Sequence, residues 1–134
     1  MIVVDTNIIG YLYLSGERTT QVEELFQRDA DWTAPLLWRS EMRNVLASYI
    51  RKGILTLEDS LEIMDEATVI MRGGEYEIIS SDVLRLASRS KCSAYDCEFV
   101  ALAQDLNVPL ITVDKQVLGE FPENAISVQE FVEG

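Results

Sequence analysis

The apolar positions of this chain fall into short continuous runs and longer helical stripes that alternate from one end to the other. Ile2-Val3-Val4 is a β-branched run that reads as a buried strand, and it stops at Asp5. From Asn7 the spacing turns helical, through Ile8 and Leu12. A second helix is predicted over Thr20 to Arg28, with Val22, Leu25 and Phe26 turned inward. Trp32-Thr33-Ala34, just before Pro35, reads as a short strand. Leu36 to Lys52 carries the stripe Trp38, Met42, Val45 and Tyr49 of a longer helix, with Gly53 as its stop. Leu57 to Met71 predicts another helix, closed by Gly73-Gly74.

In the second half, Tyr76-Glu77-Ile78-Ile79 reads as a strand, after which Ser81 caps a helix through Arg89. Ser93 followed by Asp96 resembles a capping box, opening a helix that runs to Leu106. Pro109 to Val113 is the strongest of the later strands and ends at Asp114, and Ala125 to Val128 is the last one. Strands separated by helices predict an α/β chain: one domain over residues 1–134, with a mostly parallel sheet of four to five strands and helices on both faces. Ligands of such sheets sit outside the carboxyl ends of the strands. Asp5 and Asp114 each follow an apolar strand directly, so both reach that edge if the two strands are parallel neighbours.

Composition narrows the chemistry. A chain of 134 residues is long enough to bury a sizeable core. No apolar run approaches the roughly 20 residues needed to cross a bilayer. The start, Met1 to Asp5, lacks the basic residues and cleavage site of a signal peptide, so a cytoplasmic location away from membranes is expected. Cys92 and Cys97 are expected to be reduced and without a special role. The chain has no histidine, which excludes Ser-His-Asp and Cys-His mechanisms and histidine-based RNA cleavage through a cyclic phosphate. Hydrolysis is left to carboxylates, lysine, tyrosine or a metal ion. The net charge of −12 argues against phosphate binding by a basic surface, and leaves open whether some acids converge on divalent cations.

Positions separate those readings. Asp5 and Asp114 have the ordinary reading of helix caps, although Thr6 and Asn7 could cap the first helix without Asp5. Asp96 shares a helical face with Phe99, Val100 and Ala103; complementing the helix dipole explains a first-turn acid but not an inward one. Glu41 neighbours Leu37, Trp38 and Val45 at the margin of a buried stripe, where a surface Glu would pair with Arg39, Arg43 or Arg18. Glu98 has a helical phase that points outward. Carboxylates gathered at one place repel unless cations neutralise them, and hard oxygen ligands favour Mg²⁺ or Mn²⁺. Such an ion supports phosphodiester hydrolysis without histidine.

The segments Val4-Asp5-Thr6-Asn7, Ser40 to Leu46, Tyr95 to Ala103 and Thr112-Val113-Asp114 resemble, in order and spacing, the four motifs of PIN domains. The short chain is similar to the VapC-like toxins of type II toxin–antitoxin systems. The resemblance implies a three-layer PIN-type α/β fold, divalent-metal-dependent endoribonuclease activity on RNA, frequent homodimers, and a small VapB-like antitoxin that blocks the site. It also implies roles. Asp5, Glu41, Asp96 and Asp114 match the catalytic acidic quartet. Asp5 and Asp96 would be the main metal ligands, with Asp114 completing the site directly or through water. Glu41 would bind a second metal or orient the attacking water. Thr6, Asn7 and Thr112 match the supporting polar residues.

Three expectations complete the reading. Arg39, Arg43, Arg51, Lys52, Arg85, Arg89, Lys91 and Lys115 are expected to form a basic rim that holds RNA. An acidic pocket is expected to accept a basic side chain from the inhibitor. The competing functions are a non-catalytic PIN scaffold and a receiver-type phosphoacceptor. A receiver wants paired acids after its first strand, whereas Asp5 is followed by Thr6.

Overall fold

The structure, a computed structural model, describes residues 1–134. The chain runs β1 (Ile2–Val4), α1 (Thr6–Tyr13), α2 (Thr19–Arg28), β2 (Trp32–Pro35), α3 (Leu37–Arg51), α4 (Leu57–Met71) and β3 (Glu75–Tyr76). It continues α5 (Ser80–Ser88), α6 (Ala94–Leu106), β4 (Leu110–Thr112), α7 (Lys115–Glu120), β5 (Ala125–Ser127) and α8 (Val128–Glu133). The strands form one five-stranded sheet in the order β3-β2-β1-β4-β5, every pair parallel. Helices flank it, as an α/β chain with crossover connections requires.

The central strand is β1, and its sequence explains why. All three of its residues are apolar and fully buried, as suits a strand covered on both faces. Val3 and Val4 lie beside Leu110 and Ile111 of β4, which are equally buried. Trp32 of β2 meets the ring of Phe26 edge to face at 5.2 Å. The α3 stripe delivers Trp38 and Met42 to the core, both without exposed surface. The helix stops where it should: Gly53 follows Lys52 with φ +73°, and Gly73 after α4 has φ +83°.

Several expected elements differ. The strand expected over Tyr76–Ile79 is only Glu75–Tyr76. It is an edge strand with β2 as its one neighbour, and the Leu36 N–H to Tyr76 carbonyl bond closes the pairing just before α3 begins. Glu77 to Ile79 therefore have no strand to pair with. Helix α5 starts at Ser80, one residue before the expected Ser81 cap; Ile79 holds the cap position and no side chain caps it. Asp82 in its first turn faces the helix dipole instead. Val128 belongs to α8, because Ser127 caps that helix through the Glu130 N–H at 3.1 Å.

The order of the strands decides where a site forms. The chain moves outward from β1 through β2 to β3, then returns to the other side of β1 for β4 and β5. Loops after β1 and β4 consequently part in opposite directions and leave a crevice at the carboxyl edge. Asp5 and Asp114 stand on the two lips of that crevice.

Candidate active site

The site is built outward from Asp5. Its backbone N–H donates to the Ile111 carbonyl at 3.0 Å, tying the end of β1 to β4. Asp5 also holds the N-cap position of α1, and its Oδ1 accepts the Thr6 N–H at 2.8 Å. Its Oδ2 accepts the Thr112 hydroxyl at 2.8 Å. Thr112, with no exposed surface, also accepts the Asp114 N–H at 3.1 Å. Thr6 reaches the other way, its hydroxyl donating to Glu41 Oε1 at 2.7 Å. Threonines thus join Asp5 to Glu41 on one side and to Asp114 on the other. Asp114 caps α7 through Oδ1, which accepts the N–H groups of Gln116 and Val117. Asp96 enters from the first turn of α6, where its N–H donates to the Ser93 hydroxyl at 3.1 Å.

These elements enclose a pocket of about 220 Å³ lined by Asp5, Glu41, Asp96 and Asp114 together with Thr6 and Asn7. Thr112 does not line it and acts through Asp5. Asn44 and Val45 close the remaining side. Asn44 was not singled out from the sequence, although it lies one helical turn beyond Glu41 in α3, a spacing that places both on one face. The ordinary reading of Asp5 and Asp114 as caps and their place in the pocket are both true, since each carboxylate oxygen has a second lone pair beyond the one that a capping or threonine bond takes. Glu41 is not a surface Glu paired with arginine: Arg39 binds Glu75, and the Glu41 partner is Thr6.

No lysine or arginine lines this pocket. Of the basic residues expected to surround it, Arg39 is held by Glu75, while Arg85 pairs with Asp82 and lines a separate groove with Arg89. The four acids therefore face one another with no cation of the chain among them. Burial pushes the Asp5 carboxyl up to about 6, against the opposing bonds from Thr112 and Thr6 and with added repulsion from Glu41 and Asp96. Glu41 is raised by burial and by Asp96, against the Thr6 bond. Asp96 is raised by burial and by Asp114, against Ser93. Glu98 is half-buried rather than outward, because α5 packs over that side of α6; burial and then Glu41 raise its carboxyl too. It lines a different groove, with Ile78 and Val83. Cys92 and Cys97 are buried free thiols.

The donor set, all oxygen and all acidic, fits a hard divalent cation. The carboxylates are not closed into a ready cage: no group of three or more acidic or thiol side chains holds metal-binding geometry as it stands. Asp5, Glu41, Asp96 and Asp114 all line the shared space.

The PIN domain family matches this sequence over residues 2–123, a stretch that includes all four acids. The chain belongs to the PIN-domain family. Ribonuclease VapC3 of Pyrobaculum aerophilum is 27% identical over 124 residues, covering 90% of this chain and 95% of that relative. The crystal structure of PAE2754 from Pyrobaculum aerophilum superposes with a TM-score of 0.78 at 18% identity, over 98% of this chain and 93% of the other. That of FitAcB from Neisseria gonorrhoeae gives 0.75 at 15% identity, over 96% and 99%. FitAB bound to an IR36 DNA fragment gives 0.72 at 15% identity, over 96% and 95%. In this PIN domain no helix is long and apolar enough to cross a membrane.

Proposed function

We propose that this PIN domain is an endoribonuclease that uses Mg²⁺ or Mn²⁺, and is the toxin of a toxin–antitoxin pair. The observation that carries the reading is the pocket of four carboxylates with no counter-cation from the chain. Its kinship with a protein named Ribonuclease VapC3 supports RNA as the substrate. Asp5, Asp96 and Asp114 would hold the cation. When bound, the cation neutralises the carboxylates and polarises the phosphodiester. The chain supplies the rest. Thr112 and Thr6 orient Asp5 through both of its oxygens. Glu41 keeps Oε2 free while Thr6 holds Oε1, and its raised affinity for a proton suits it to take one from the attacking water. A small antitoxin would block the pocket with a basic side chain in place of the cation.

The phosphoacceptor reading lacks a second acid beside Asp5, which is followed by Thr6. A non-catalytic scaffold is the second reading, favoured by the open arrangement of the acids. Incubating the purified protein with single-stranded RNA separates them. The nuclease cuts with Mn²⁺ or Mg²⁺, stops with EDTA, and loses at least about a hundredfold in rate as Asp5→Asn, the scale on which removing a catalytic group acts. Cutting that persists undiminished in Asp5→Asn contradicts the assignment.

A further inference from the structure

A second depression opens beside the acidic pocket and shares a wall with it, since Thr6, Asn7 and Val45 line both. It is larger, about 360 Å³ against about 220 Å³, and lies between α1, the loop leading to α2, and α3. Two half-buried rings, Tyr11 and Tyr49, face it from α1 and α3. The guanidinium of Arg18 stands over the Tyr11 ring, 5.9 Å from its centroid. Arg18 is the one cationic side chain lining either depression. The floor is Gly10, inside α1, where glycine costs about 1 kcal/mol relative to alanine. A Cβ there would meet Leu14 Cδ1 at 3.9 Å and Met42 Sδ at 4.0 Å, so an alanine fits.

We infer that this groove seats an unstacked base of single-stranded RNA beside the phosphodiester held in the acidic pocket. Tyr11 and Tyr49 are the stacking faces, and Arg18 is the cation for a neighbouring phosphate. The choice of RNA rests on the ribonuclease reading above. Aromatic faces and a guanidinium are what sequence-tolerant single-strand binding uses, and a base inside a duplex cannot enter such a hollow. The shared wall places base and scissile phosphate in one continuous trough. The groove also answers the charge problem: a chain of net charge −12 gains most by holding bases through rings and calling on one local cation. Glu17, an acceptor at the rim, favours bases that present an amino group.

The test reads binding rather than cleavage: fluorescence anisotropy of a labelled single-stranded RNA hexamer, in Ca²⁺, with the full chain. Tyr11→Leu and Tyr49→Leu should each weaken binding by about tenfold, the scale of one lost base stack. An abasic position in the RNA should cost the wild type as much, and cost the double variant nothing more. Arg18 is exposed, so Arg18→Gln keeps the fold even where a tyrosine variant does not. It should reduce the slope of log affinity against log salt by about 0.7. Unchanged affinity in these variants, or equal affinity for duplex RNA, overturns the inference. Unchanged RNA affinity with loss of binding to an inhibitory protein would assign the groove to that partner instead. RNA that binds through the groove but is left uncut when Mn²⁺ or Mg²⁺ is supplied tells against the ribonuclease reading and leaves the groove assigned.

Discussion

At the scale of single residues, Asp5 carries the conflict on which the site rests. Its carboxyl is raised from 3.8 to about 6 chiefly by burial, so the folded chain holds that proton more tightly than the unfolded chain does. The resulting stability is fully present below 3.8 and is lost as the pH rises to about 6. The loss amounts to roughly 3 kcal/mol in cation-free protein. Urea unfolding in EDTA should therefore find Asp5→Asn more stable than wild type at pH 7, with the advantage shrinking towards pH 4. An advantage that does not vary with pH would show that Asp5 titrates like an exposed carboxyl. Asp5, Asp96 and Asp114 were legible in the sequence because each interrupts or borders an apolar pattern. The Thr6 to Glu41 bond was not, since it joins positions 35 residues apart and depends on how α3 docks against α1. The outward reading of Glu98 failed for a similar reason, as helical phase alone does not reveal that α5 covers it.

At the scale of elements, the pattern of apolar runs located most strands and helices, and where it erred the cause was pairing. Ile78 and Ile79 are β-formers by composition, yet no neighbouring strand is available to them, and Ile79 stays 62% exposed. Only Val128 of helix α8 lies in the apolar run read as the last strand, and Ser127 and Glu130 give the helix a capping sequence. Gly74 is a constraint of another kind. A Cβ there would lie 2.3 Å from the Trp32 carbonyl oxygen, so the approach of β3 to β2 requires a residue without a side chain. The Gly74 carbonyl also accepts the Ala34 N–H at 2.9 Å. Gly74→Ala should destabilise by about 1–3 kcal/mol, the range for forcing atoms into a packed region. A urea midpoint equal to wild type would mean that the β3 edge yields without cost.

At the scale of the whole molecule, the order of the sheet turns scattered sequence positions into one site. Reversal of direction at β1 and β4 brings residues 5 and 114 to the two lips of a crevice, and the N-terminal turn of α6 and the body of α3 add residues 96 and 41. The net charge of −12 could not reveal this, because a total says nothing of where charges meet. The most direct test is a calorimetric titration of the protein with Mn²⁺. Saturable binding should occur in the wild type, weaken as the pH falls through about 6, where Asp5 gains its proton, and disappear in Asp5→Asn. Binding that is absent from the wild type, or retained in full by Asp5→Asn, would contradict the account.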